Sequence, residues 1–597
     1  YNNFQNTGVI VWANSNDNNY NMSTVWGGTS NVVDADANLP ALFPELAEAW
    51  IAVTNVGTYN DGSKVLFSAP CATAAEYCLS HDGMDITAGS DVYDGVTGYS
   101  HWITTKTGTS MATPQISGAV AILFEAFPDN SPELITKRLL LTADNSWFAS
   151  SKCFVDNNGN QTIDNDEFSN SCGGYEGEVT YNGITHAYNS LYGHGNPDLH
   201  LALQPIGVNT ISGLNRNKEL LVASSLLLTS YYGDALSLSG EKAIFRDQLN
   251  GGFWFDMGNL VSKSPQNKLK RKLESNDFEN WNSVNNHDDN YQLSFSYSEN
   301  DTNDNNLNDD IGLYSSFSKN GSKTYLGYNY PTSKALGISG SNNAISILNR
   351  HNQNSLLGFA SNLTDNIVVG NSIDINEQLN LNFVVYDGDE NINQLNERGY
   401  IASVKSHINA YDDITLFLGK NYENEGLLRS KATGAFGELS GDTFYTGAVL
   451  NKHLYGNTHL AGLFSLGNVN ASQNENGLIN NIDNITTSQF NLGLVSSSIL
   501  EKGDMITFNI SQPLRTESGE ALIHLPGYLD SNNDILFTSK KLDLEPSGRE
   551  INFDLGYENK LNFGGAYKVG SQIAFEPSHN NNNSSEQLFY GVYKINF

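Results

Sequence analysis

Gly108-Thr109-Ser110-Met111-Ala112-Thr113-Pro114, running on through Ser117-Gly118 into an apolar helical pattern, is the stretch that decides the fold. A serine among small residues at the start of a predicted helix has the setting a serine nucleophile needs. Gly108 permits a tight turn and close approach of a substrate carbonyl. The helix N-terminus offers unpaired N–H groups and a positive partial charge to a developing oxyanion. Pro114 falls in the first helical turn, where its missing donor costs little. Beyond it Ile116, Ala119, Val120, Leu123, Phe124 and Phe127 recur at helical spacing, so one face is buried and the serine is held rigidly. A plain helix cap explains many isolated serines before helices. The length of this phrase favours the nucleophile.

The phrase resembles the nucleophile motif of the subtilisin-like serine proteases (subtilases). The resemblance implies that Ser110 is the acylating nucleophile of a Ser-His-Asp mechanism. It also implies an oxyanion asparagine at the end of an earlier strand. Val11-Trp12-Ala13-Asn14 matches that phrase, with Ala13 where glycine is usual, so Asn14 is the expected donor, 96 residues ahead of Ser110. Asn55, ending Ala52-Val53-Thr54, is the alternative. Gly98-Tyr99 and Thr104–Thr109 are expected to line substrate subsites. The family's aspartate and histidine phrases precede its oxyanion asparagine, and neither occurs in the thirteen residues before Asn14. His81, His101, His186 and His194 stand in the wrong order and context, and read as surface or loop histidines. The expectation is therefore a C-terminal portion of a longer precursor, lacking the Asp and His of the triad and inactive by itself.

Composition sets outer bounds. A chain of 597 residues exceeds one compact domain, and its net charge of −33 argues against nucleic acid as a partner. It contains no apolar run long enough for a transmembrane helix. Four cysteines form two close pairs, Cys71/Cys78 and Cys153/Cys172. Without zinc-site spacing, two local disulfides in an oxidising compartment are favoured over four free thiols.

The chain divides into three regions. Residues 1–205 read as an α/β domain with a parallel sheet and flanking helices: Gly8–Ala13, Trp50–Val53 and Val65–Pro70 are short apolar runs, and Pro132–Leu141 is a helix capped by Ser131. Residues 206–290 read as a linker or junction. Residues 291–597 turn to period-two alternation, as in Gln292–Tyr297, Thr415–Gly419 and Met505–Ile510, with Asn/Asp/Gly/Ser turns between. About a dozen such strands fit an antiparallel outer-membrane-type barrel ahead of a soluble sandwich or solenoid. A subtilase followed by a barrel ending in Phe597 resembles the autotransporter proteases of Gram-negative bacteria. That resemblance implies a cell-surface endopeptidase with protein or peptide substrates and outer-membrane lipid around its β domain. The rival reading is a non-catalytic adhesion protein on a degenerate subtilase scaffold.

One further segment carries metal-binding spacing. Asp156, Asn158, Asn160, Thr162, Asp164 and Glu167 supply oxygens at loop positions 1, 3, 5, 7, 9 and 12 of a calcium loop, with Ile163 at position 8. Gln161 replaces the usual glycine at position 6. The alternative is a plain acidic loop clipped by a disulfide. Catalysis calls for no cofactor; the calcium would be structural.

Overall fold

In the computed structural model the residues described are 1–16, 36–93, 96, 99–149, 152–155, 168–169, 172–264, 282–285, 291–298, 310–330, 332, 344–345, 347–348, 363–390, 395–472, 476–529, 534–560 and 565–595. They form two compact units: residues 1–210 with 244–254, and residues 211–243 with 255–530 and 534–597.

The first unit is built on strand β2 (Trp50–Thr58), which is buried along nearly its whole length. It pairs in parallel with β1 (Ile10–Ala13) on one side and with β4 (Cys78–His81) on the other. Alternate residues of β2 serve two cores. Ile51 and Val53 face a cluster with Leu79 and with Ala112, Ile116, Val120 and Leu123 of the helix Thr109–Ala126. Trp50 and Ala52 face a second cluster with Ala74, Tyr77 and Cys78. Apolar residues on both sides are what a strand sandwiched between layers requires.

The run from Val65 departs from expectation. Only β3 (Lys64–Leu66) is a strand, and it lies antiparallel to β2 before pairing in parallel with β7 (Cys153–Val155). Between them in sequence stands a hairpin, β5 (Ile86–Tyr93) and β6 (Tyr99–Lys106), paired without a break in register. Residues 104–106, expected along a subsite, belong to its returning strand. The helix Pro132–Leu141 forms as expected, and Ser131 Oγ accepts from the Leu134 N–H at 3.2 Å.

Both disulfides form, Cys71–Cys78 and Cys153–Cys172. The calcium-loop residues Asp156 to Glu167 lie outside the described residues. Their flanks are strands, not helices: β7 pairs antiparallel with β8 (Phe168–Ser169).

The chain leaves the first unit at Thr210 and returns to it at Ile244–Trp254. There Asp247 meets Arg138 of the second helix at 2.6 Å, with both side chains fully buried. Asp247 also accepts from the N–H groups of Ile206, Leu249 and Gly251. Arg138 lies over the Phe127 ring at 4.2 Å and donates to the carbonyls of Ala202 and Gln204. Within the expected junction, the described residues Ser225–Leu228 and Val261–Lys263 are strands of the second unit, where Ser225–Leu228 also pairs with Lys431–Thr433.

The second unit is dominated by a 16-stranded antiparallel sheet in which successive strands are neighbours from Asn282–Asn285 to Glu586–Ile595. Ile535–Asp543 is a side branch on the long strand Met505–Leu529. Its amphipathicity is inverted. Along Asp413–Glu423, Thr415 and Asn421 are buried while Leu416 and Leu418 are about half exposed (56% and 46%). Ser465, Asn491 and Asn509 are likewise buried while Phe464, Leu492 and Phe508 are exposed. Register carries the apolar row across strands: Leu381 pairs with Val404, Val404 with Leu416, Leu416 with Ala448, Ala448 with Phe464, and Phe464 with Phe490, with Val404, Leu416 and Phe464 exposed and the other three half-buried. In water such a sheet would turn its apolar row inward.

Candidate active site

Ser110 is exposed on the first turn of the helix Thr109–Ala126. The turn before it is fixed by sterics. Gly108 is the N-cap, with φ 150° and ψ 170°, a conformation natural only for glycine. A Cβ there would also lie 3.0 Å from Asn16 Oδ1. Its N–H donates to the Gly83 carbonyl at 3.0 Å, and its own carbonyl accepts from Met111 N–H at 3.0 Å. Thr109, buried beside the exposed serine, donates its Oγ1–H to the Asn14 carbonyl at 2.7 Å. The serine is therefore presented to solvent by two neighbours that are locked.

The two asparagines after β1 take different places. Asn14 follows the last residue in register, Ala13, and its N–H donates to the Val53 carbonyl at 2.9 Å. Its side chain is buried, and Nδ2 is turned to the Pro70 carbonyl at 3.3 Å and the Ala69 carbonyl at 3.5 Å. An amide so turned inward is poorly set to meet an exposed oxyanion. Two residues on, the chain has cleared the sheet and Asn16 is exposed. Its Oδ1 accepts from Thr109 N–H at 3.0 Å and stands 3.2 Å from Thr109 Oγ1. With the acceptor end anchored on the residue before Ser110, the amide's remaining end is a donor, Nδ2. Residues two apart on leaving a strand share a side, so the sequence offers both asparagines without choosing between them.

Asn55, the other expected donor, is fully buried beneath the turn, and its Oδ1 accepts from Gly83 N–H at 2.8 Å. The histidines are engaged elsewhere. His81 lies in register with Asn55 on β4, and burial pushes its pKa down. His186 and His194 meet through Nδ1 at 2.9 Å, while their Nε2 atoms face the carbonyls of Ala143 (2.8 Å) and Glu76 (3.0 Å). Burial holds the His194 imidazole down to about 3. His101 is on β6. No group of three or more metal-ligating side chains occurs among the described residues.

Residues 1–195 match the subtilase family. The chain is similar to the extracellular serine protease of Serratia marcescens, 31% identical over 149 residues; the matched stretch is 23% of this chain and spans 13% of that protein's length. Among solved structures, a bacterial polysaccharide outer membrane secretin aligns over 52% of this chain and 86% of its own, at 7% identity and a TM-score of 0.27. The beta domain of the Bordetella autotransporter BrkA aligns over 51% and 92%, at 13% identity and a TM-score of 0.19.

Proposed function

Residues 1–195 form a subtilase-family domain, and from that premise we propose that the protein is a serine endopeptidase acting through an acyl-enzyme on Ser110. Ser110 Oγ attacks the scissile carbonyl, the amine leaves, and water resolves the ester. In place of Asn14 we assign the oxyanion donor to Asn16, whose amide is pinned by Thr109 with Nδ2 as its donor end. The helix's first-turn N–H groups add to the same field. The base is not assigned to His81, His186 or His194, nor is its orienting carboxylate assigned. His186 and His194 have their ring nitrogens committed to one another and to backbone carbonyls.

The β region is proposed to close into an outer-membrane barrel that carries the protease to the cell surface. The support is the apolar row through the exposed Val404, Leu416 and Phe464, opposite buried Ser, Thr and Asn, the pattern of strands with lipid outside and water within. Its strands, 12 residues in Leu379–Glu390 and 14 in Thr458–Ala471, are long enough to cross a bilayer. Calcium bound by Asp156, Asn158, Asn160, Thr162, Asp164 and Glu167 would tie down the span closed by Cys153–Cys172.

The observation that carries the enzymatic reading is the exposed Ser110 between the buried Thr109 and Ala112, beside Asn16. Ser110→Ala in the complete gene product is expected to abolish peptide hydrolysis and leave the thermal unfolding midpoint unchanged. Undiminished hydrolysis by that variant would overturn the assignment.

A further inference from the structure

Beneath the Ser110 turn runs a short relay of hydrogen bonds that the proteolytic reading does not itself require. Asn55 Oδ1 accepts from Gly83 N–H at 2.8 Å, and the Gly83 carbonyl accepts from Gly108 N–H at 3.0 Å. Both bonds belong to the one residue, Gly83, wedged where nothing larger fits. A Cβ there would stand 2.4 Å from the Gly108 oxygen, 2.9 Å from the Ala112 nitrogen and 2.9 Å from Asn55 Oδ1. The segment is held from outside too, since Gln115 Nε2 donates to the Asp82 carbonyl at 2.9 Å. Residue 83 therefore has almost no freedom, and its carbonyl fixes the peptide that opens the Ser110 helix.

Asn55 is an expensive choice inside a buried strand. Its backbone is already engaged: its N–H donates to Ser68 Oγ at 3.0 Å, and its carbonyl accepts from Phe67 N–H at 3.0 Å. Its side chain is fully buried, and among the described residues Nδ2 has no hydrogen-bond partner. An orphaned buried donor costs about 1–3 kcal/mol, and an aliphatic residue of this size would avoid that cost.

We infer that Asn55 is a positioning residue for acyl transfer: through Gly83 it sets the backbone of Gly108, and with it the direction in which Ser110 Oγ is offered to the substrate. The inference rests on Ser110 being the nucleophile. It assigns no chemistry to Asn55, which touches neither substrate nor serine, and it places the effect on the chemical step rather than on substrate binding.

The test uses the complete gene product, a fluorophosphonate probe that esterifies an activated serine with loss of fluoride, and a chromogenic peptide. Asn55→Ala removes the acceptor; Asn55→Asp keeps an acceptor at the same place while burying a carboxylate. Expected for Asn55→Ala is a fall of about 10- to 100-fold in labelling rate and kcat, with KM within about twofold. Asn55→Asp should recover kcat to within about threefold of wild type although its unfolding midpoint stays low. A merely structural role would instead give two variants whose activities track their folded fractions, and that result, or an unchanged labelling rate in folded Asn55→Ala, overturns the inference. If Asn55→Ala does not fold, Gly83→Ala decides, because its Cβ displaces the Gly108 carbonyl: the same loss in kcat is expected, and full activity overturns the relay. Wild-type protein that neither labels nor cleaves refutes the nucleophile assignment itself, and the relay with it; labelled wild type with an indifferent Asn55→Ala refutes the relay alone.

Discussion

Two asparagines two residues apart divide between structure and chemistry. Asn16→Ala removes the proposed oxyanion donor, so kcat should fall about 100- to 1000-fold with little change in unfolding midpoint. Asn14→Ala strips buried contacts to Ala69 and Pro70, so it should cost about 1–3 kcal/mol of stability and spare kcat in the folded fraction. Steady-state kinetics beside thermal unfolding separates them, and the reverse pattern would return the oxyanion role to Asn14. Ser110 was legible because its neighbours are dictated by sterics: Gly108 by its φ, Ala112 by its burial. The choice between the asparagines was not legible. Which one clears the sheet depends on where pairing with Val53 ends, and pairing is a property of two strands.

At the scale of elements, the His186–His194 contact ties β10 (Ile184–Tyr188) to the turn after Tyr192. The two rings make three nitrogen contacts, and a neutral pair has only two N–H groups to supply them. A third proton would complete the set, yet burial, the neighbouring ring and Lys137 oppose it, while Glu76 contributes its backbone carbonyl and Tyr188 packs its ring 5.6 Å away. Both pKa values are lowered, His194 to about 3 against an ordinary 6.5. The unfolded chain therefore binds protons that the folded pair refuses. This contribution to stability is complete above pH 6.5 and is lost as pH falls from there toward 3. Unfolding midpoints measured from pH 8 to pH 4 should drop below 6.5, and His194→Gln should flatten that drop; equal slopes in both proteins would contradict it. Strands are unevenly legible for a related reason. Alternation in Thr415–Gly419 reports one strand's two faces and survives without its partners. The run from Val65 is apolar because it is buried, and burial does not say that β3 lies antiparallel to β2.

The exposed row gives the β sheet its own test. Phe464→Arg is expected to lower the sheet's stability in lipid vesicles by about 2–4 kcal/mol if the residue faces the bilayer midplane. A cost within about 0.5 kcal/mol, measured from urea midpoints, would mean that this face meets water.

For the whole molecule, the decisive feature is the return of residues 244–254 to the first unit. Asp247→Ala leaves the Arg138 guanidinium buried without its counter-charge, so the first unit should lose about 3–5 kcal/mol. Separate unfolding of the two units by calorimetry would show the first unit's transition moving and the other staying. A boundary at 205 with a junction after it is all that the residues suggest, since 206–290 has no strong period. Asp247, one of the anchors of 244–254, has its partner 109 residues earlier. A single charge has no pattern to be read.

That out-and-back route limits how the protein could ever be trimmed. A protease nicking the excursion between Thr210 and Ile244 would sever the covalent thread without liberating the N-terminal portion, which would remain pinned by a stub of its neighbour. Clean shedding demands a cut downstream of Trp254, so the mass of any fragment found free in the medium would reveal whether maturation respects this stitch.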